Sequence, residues 1–214
     1  MSSAKVTLVD YGIGNIFSVR RALESSGAEV LLTGRPEDIA AAQRLVLPGV
    51  GAFADCMAGL RERGLVAPLL DYAATGRPLL GICVGMQMLA SISEEFGEHE
   101  GLGLVPGRVS PVPATAIDGE PQKIPHTGWT AVHRPAGVSW DGSPLAETRE
   151  GEAVYVVHSF AVIPDDSAHR LADCEYGGRR ICAAVRRERI FGCQFHPEKS
   201  GPTGLKMLAQ FLRC

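Results

Sequence analysis

The sequence predicts an α/β fold: one domain with a central, mainly parallel sheet flanked by helices and extended by antiparallel strands. Three observations carry this. From Lys5 to Ser91, short apolar runs alternate with amphipathic stretches of helical period, the rhythm of strand–helix units around a parallel sheet. After Leu104 the rhythm gives way to short strand-like runs separated by turn residues, which join most simply as antiparallel neighbours. The 214 residues, 45% hydrophobic and 21% charged, contain no repeat, low-complexity run or linker. One core of that size needs no second domain, so residues 1–214 are expected to form a single domain.

Taken in order, Lys5 to Val9 is an apolar strand ending at Asp10. Tyr11-Gly12-Ile13-Gly14-Asn15 turns it into a helix from Ile16 to Ser26, with Asn15 placed to cap it. The GxG lacks the third glycine of a dinucleotide fingerprint, so a plain turn is expected there. Glu29 to Leu32 reads as a strand, Pro36 to Ala42 as a short helix opened by proline, and Leu45 to Leu47 as a buried strand. Helices follow from Ala52 to Gly64 and from Val66 to Thr75. Leu79 to Cys83 is the fourth strand, with a helix expected from Gly85 to Ser91. Ser93 to Gly101 reads as a polar loop. Later strand candidates are Gly107–Val112, Gln122–Ile124, Thr130–His133, Gly151–Val157, Phe160–Ile163, Leu171–Tyr176, Arg180–Arg187 and Ile190–Gln194. Prolines between Pro106 and Pro135 exclude long helices there. Tyr176-Gly177-Gly178-Arg179 is a hairpin turn, and Pro202 to Leu212 a closing amphipathic helix.

Composition excludes several classes of function. A net charge of −3 argues against a large nucleic-acid-binding face. No apolar stretch approaches the ~20 residues needed to span a bilayer. Met1 to Asp10 lacks the basic and apolar regions of a signal peptide. The six cysteines, Cys56, Cys83, Cys174, Cys182, Cys193 and Cys214, have no zinc-like spacing. Free thiols in a reducing cytoplasm, and no metal, are expected.

The most informative stretch is Gly81-Ile82-Cys83-Val84-Gly85-Met86-Gln87. An apolar strand stops at a cysteine flanked by glycines, and a helix follows at once. This is the pattern of a nucleophile elbow, in which a strained turn pushes the nucleophile out of the fold. The glycines leave room where strand and helix meet, and the helix N-terminus favours a thiolate. A buried structural cysteine at a strand end is the alternative. Gln87, one helical turn on, can face the same cleft or solvent.

Two further stretches complete a constellation. Pro48-Gly49-Val50-Gly51 follows the third strand, where glycine-rich backbone can present N–H groups to a developing oxyanion, or serve as an ordinary loop. His196-Pro197-Glu198 ends the last strand. In extended backbone the first and third residues project to one side, so Glu198 can hold the His196 ring and leave its other nitrogen for a thiol. Cysteine elbow, glycine loop and His-x-Glu together fit acyl transfer.

These three motifs resemble the signatures of the class I, or triad, glutamine amidotransferases, and the resemblance spans nearly the whole chain. Asp10–Asn15, Gly49–Phe53, Ser93-Glu94-Glu95, Gly101–Leu104, Lys123–Trp129 and Val157–Phe160 narrow it to the glutaminase subunits of imidazole glycerol phosphate synthase. Thr127, Thr130 and Phe160 depart from the residues usual in that group. The resemblance implies a Cys83 nucleophile, a His196 proton relay and Glu198 as its orienter. It implies oxyanion donors at Val84 and on the Val50-Gly51 loop. Gly49, Gln87, Glu95, Ser159 and Phe160 would border glutamine. Asn15, Trp129 and Lys199 would lie toward a (β/α)8-barrel cyclase subunit, with which the chain would form a heterodimer and to which ammonia would pass. No cofactor is implied. Two alternatives stay open: another class I amidotransferase, or a silent regulatory subunit, against which the presence of Cys83, His196 and Glu198 argues.

Overall fold

The computed structural model describes residues 3–214; Met1 and Ser2, part of the stretch read for a leader, lie outside them. The first half builds the parallel part of the main sheet. Strand β1 (Ala4–Val9) leads through helix α1 (Ile16–Ser25) to β2 (Ala28–Thr33), then through α2 (Pro36–Ala41) to β3 (Leu45–Gly49). Two helices, α3 (Phe53–Glu62) and α4 (Val66–Ala74), precede β4 (Leu79–Cys83), which runs directly into α5 (Val84–Met88). β3 and β4 are buried at every position, as central parallel strands covered on both faces must be. Each leucine fully buried in them contributes roughly 2 kcal/mol of transfer free energy. On α1, Val19, Ala22 and Leu23 form the buried face, the i, i+3, i+4 spacing of an amphipathic helix.

The second half supplies β5 (Ile92–Ser93), β6 (His99–Glu100), β7 (Gly107–Pro111), β8 (His126–Ala131), β9 (Ala153–His158), β10 (Phe160–Pro164), β11 (Arg170–Tyr176), β12 (Arg179–Arg187) and β13 (Ile190–Cys193), before the closing helix α6 (Gly201–Phe211). The main sheet has the order β11-β12-β13-β4-β3-β1-β2. β13 lies parallel to β4 and antiparallel to β12, so it joins the two halves. Only β11 and β12 extend the sheet beyond it. β10, β7, β5 and β6 form a separate four-stranded sheet, and β8 pairs only with β9. The main sheet is thus mainly parallel and extended by antiparallel strands, as expected; the remaining second-half strands pair apart from it.

Other expectations shift locally. The helix after Cys83 ends at Met88, short of Ser91. The following loop ends it: the N–H groups of Leu102, Gly103 and Val105 donate to the carbonyls of Met88, Ala90 and Leu89 at 2.8, 3.0 and 2.9 Å. Ser93 to Gly101 is not a plain polar loop but a small hairpin, with Ile92 opposite Glu100 and Ser93 opposite His99. Gln122–Ile124 is not a strand; prolines crowd that segment, and Gln122 N–H donates to Ala114 O across a loop. The strand expected at Thr130–His133 begins earlier, at His126. Its partner β9 sets that start, with His126 opposite His158. The hairpin at Tyr176–Arg179 forms with Gly177 and Gly178 both at positive φ, 57° and 73°, as a type I′ turn requires.

Strand order decides where chemistry can sit. β3, β4 and β13 are neighbours and parallel, with Gly49 opposite Cys83 and Cys193 opposite Ile82. Their carboxyl ends, and the segments that leave them, therefore meet at one edge of the sheet, where open α/β sheets place their sites. Among the described residues no helix is long and apolar enough to cross a membrane.

Candidate active site

Cys83 ends β4 with φ 56° and ψ −114°, a conformation that costs a non-glycine residue of order 1–3 kcal/mol. Close backbone contact imposes it. A Cβ on Gly85 would lie 2.0 Å from Leu47 O, and one on Gly81 2.5 Å from Gly85 O. Only glycine at those positions lets α5 rise directly off β4 and press against β3. α5 is five residues long, so its dipole at Cys83 is weaker than the longer expected helix would give.

His196 leaves β13 and is held on its backbone. Its N–H donates to Tyr155 O at 2.9 Å, and the Ser200 hydroxyl donates to its carbonyl at 2.6 Å. Pro197–Lys199 is a 3₁₀ turn and not the extended segment expected from the sequence. The proline at its first position favours that turn. Glu198 still reaches back, its Oε1 2.9 Å from His196 Nδ1, and both side chains are nearly inaccessible, at 4% and 1% exposure. Burial alone would lower the His196 pKa. The Cys83 sulfur beside the ring and the Glu198 carboxylate bonded to it outweigh burial and raise the pKa to about 9.

Cys83, Val84 and His196 open onto a cavity of about 400 Å³ that is also lined by Val50, Gly51, Gln87, Glu95, Pro125, His158, Ser159, Phe160 and Lys199. Gly49, expected beside the substrate, does not line it. Gly49 is instead the floor under the elbow, where an added Cβ would meet Gly85 N at 2.6 Å. Gly51 has φ +87° and open space around its Cβ position. The loop is anchored at Pro48 and Val50, whose carbonyls accept from Tyr11 Oη at 2.7 Å and Cys56 Sγ at 3.4 Å. Glu95 accepts from Phe53 N at 2.6 Å, the start of α3. Gln87 is buried, and its amide donates to Phe160 O at 3.2 Å and to Gln194 Oε1 at 3.0 Å. Phe160 O also lies 2.8 Å from His158 Nδ1.

Asn15 stands at the N-cap position of α1, but its side chain makes no capping hydrogen bond. Its side-chain amide is directed to Glu198 Oε1. Trp129 is 60% exposed, edge-on to Tyr155, with Lys199 Nζ 6.0 Å from the same tyrosine ring. Three residues missed from the sequence belong to the site. Gln194 donates to the Cys83 sulfur at 3.8 Å; its place two residues before His196 was the available signal. His126 and His158 pair behind the cavity wall at 3.2 Å, joined by a register that no local pattern reveals.

A cysteine on a strained elbow at the cavity, with a buried imidazole backed by a carboxylate, suits nucleophilic acyl transfer. The chain matches the family model described as glutamine amidotransferase class-I over residues 7–214. It is 48% identical over 211 residues to imidazole glycerol phosphate synthase subunit HisH 1 of Legionella pneumophila (strain Lens), covering 98% of this chain and 99% of that one. It is 43% identical over 208 residues to subunit HisH of Geobacter sulfurreducens, covering 97% of each. Among solved structures, that of PurLQS from Thermotoga maritima superposes with a TM-score of 0.74 at 21% identity, covering 99% of each chain, a likeness of fold. With the match running through nearly every element of the sheet and all three site segments, the chain belongs to the class-I glutamine amidotransferases.

Proposed function

We propose that this chain, a single amidotransferase domain over residues 1–214, is the glutaminase subunit of an imidazole glycerol phosphate synthase. The observation that carries the chemistry is the His196–Glu198 contact of 2.9 Å beside a cysteine on a strained elbow. The relatives that bear the subunit name support the assignment to that synthase.

The Cys83 thiolate attacks the side-chain carbonyl carbon of glutamine. The oxyanion that forms is held by the N–H of Val84 and, once the loop is turned toward it, by the Val50-Gly51 loop, donors placed where charge develops. His196 gives its proton to the leaving nitrogen, and ammonia departs from a γ-glutamyl thioester. His196 then takes a proton from water, which attacks the thioester and releases glutamate and the thiol. Glu198 keeps the ring in register and favours its protonated form. Gln194 donates to the sulfur. Gln87, Glu95, Ser159 and Phe160 shape the glutamine cleft. Gln87 acts by holding the Phe160 carbonyl, so a phenylalanine side chain at that position leaves the contact in place.

Ammonia passes to a separate (β/α)8-barrel cyclase subunit in a heterodimer, in the cytoplasm. The exposed Trp129, together with Lys199 and Asn15, forms the partner face. The freedom for partner-dependent gating lies at the Val50–Gly51 peptide, since Gly49 is locked under Gly85. Co-purification with the cyclase, followed by glutamine-dependent formation of imidazole glycerol phosphate, tests the assignment. Failure of the reconstituted pair to use glutamine while it uses free ammonia would refute it.

A further inference from the structure

His126, His158 and Cys174 come together behind the wall of the glutamine cleft. They lie on three different strands, β8, β9 and β11, and all three are buried. One donor atom of each lies within 4.8 Å of the other two. None takes part in the chemistry proposed above. We propose that these three residues form a binding site for a zinc ion, which clips the β8–β9 pair to the edge of the main sheet.

The donor set is two imidazoles and a thiol, which selects thiophilic d¹⁰ cations over magnesium or calcium. The geometry suits zinc. His158 Nε2 and His126 Nδ1 are 3.2 Å apart, and two nitrogens on a tetrahedral zinc sit about 3.3 Å apart. The sulfur, within 4.8 Å of both nitrogen donors, needs to close by at most about 1 Å to complete the triangle. His158 also has the supporting contact of a metal-bound imidazole: its Nδ1, 2.8 Å from Phe160 O, donates to that carbonyl and leaves Nε2 as the lone-pair nitrogen. His126 is fixed by Tyr176, stacked on its ring at 4.0 Å between centroids. The glutamine cleft, which His158 lines, is the side from which an ion would reach the three donors.

Protonation fits as well. Burial holds the pKa of His126 low and brings that of His158 to about 4, despite the Phe160 hydrogen bond. Both rings therefore stay neutral at ordinary pH. Burial, with the nearby Asp173 charge, pushes the Cys174 thiol up to about 12. Zinc binding must displace that thiol proton to solvent, while the His126 proton moves from Nδ1 to Nε2. With one proton released, affinity rises about tenfold per pH unit through the neutral range.

The experiment is a cobalt(II) titration of the full chain, read by the sulfur-to-cobalt charge-transfer band and by competition with a chelator and with zinc. Because Cys83 and His196 are a second thiol–imidazole pair, it is run in parallel on wild type, Cys83→Ser and Cys174→Ser. The expected result is a band at about one cobalt per chain, displaced by zinc, kept in Cys83→Ser and lost in Cys174→Ser. Should Cys174→Ser fail to fold, His126→Asn keeps the thiol but removes one of the three protein ligands, so the one-per-chain band should be lost. Absence of the band in wild type overturns the site. So does a band that survives both Cys174→Ser and His126→Asn, or one lost with Cys83→Ser.

Discussion

The Asn15 side-chain amide donates at 3.4 Å to Glu198 Oε1, the same oxygen that lies 2.9 Å from His196 Nδ1. Asn15 sits in the turn after β1, far from Glu198 in sequence, yet it holds the far end of the triad. It was placed on the partner face by resemblance, and its geometry gives it a positioning role too. Asn15→Ala is expected to lower kcat for glutamine by about threefold to tenfold with little change in KM, because it loosens the carboxylate and not the substrate. A change confined to KM would contradict this.

Cys83→Ala is expected to abolish glutamine hydrolysis, a loss of at least about 10³-fold. Ammonia-dependent synthesis by the reconstituted pair should persist. An electrophilic glutamine analogue should label Cys83 alone by peptide mass spectrometry. Cys193 and Cys182 are fully buried thiols with raised pKa values, so labelling there would count against the elbow.

The pH profile follows from the imidazolium. With the His196 pKa raised to about 9, the protonated ring that serves the leaving ammonia persists through neutrality and is lost as pH rises through that value. The alkaline limb of kcat/KM should fall near pH 9, as a property of the Cys83–His196 pair. Glu198→Gln removes one of the raising contacts and should move the limb to lower pH as well as lowering the rate. An unmoved limb would remove Glu198 from the pair's electrostatics.

His158 makes the fold sensitive to acid. Burial brings its pKa from 6.5 to about 4 in the folded chain. Between those values the unfolded chain binds a proton that the folded chain does not. Stability is therefore full above pH 6.5 and is lost as pH falls toward 4. The shift corresponds to roughly 3 kcal/mol. Urea unfolding at pH 7 and at pH 4.5 should show His158→Gln losing less stability on acidification than wild type. An equal loss would mean that other groups carry the acid limb.

Coupling to the cyclase should pass through the exposed corner at Trp129 and Lys199. Steady-state glutaminase activity should rise at least about tenfold when liganded cyclase is added, as expected when a missing oxyanion donor is restored. Trp129→Ala and Lys199→Ala should blunt that rise while leaving the circular dichroism spectrum unchanged. Full activity of the isolated chain would sink the gating, though not the triad.

The sequence revealed the half of the fold where each element carries its own signal. The βα units, Cys83 between its glycines and the Gly177-Gly178 turn are local patterns with local physics. His196 and Glu198 were legible because only Pro197 separates them, although the 3₁₀ turn that joins them was not. Partnerships set by tertiary register were hidden. The separate four-stranded sheet depends on β10 choosing β7. The end of α5 depends on donors from Leu102 to Val105. The His126–His158 pair depends on the alignment of β8 with β9. Asn15 holds the N-cap position the sequence marks, but its side chain is turned away from the helix for the same reason: the acceptor of its amide arrives from the other end of the chain.

The backbone contacts at Gly49, Gly81 and Gly85 bear on how this enzyme tolerates change. Main chain touches main chain there, with no side chain acting as spacer between β3, β4 and α5. The height of the Cys83 sulfur above the sheet is thus gauged by atoms that every sequence shares. Leu47, Leu80 or Met86 can drift in size or shape, and the surrounding packing can be redesigned for heat or solvent tolerance, while the nucleophile keeps its place. The cost of that robustness is concentrated at three glycines, where one added methyl group would lift the helix off its bed.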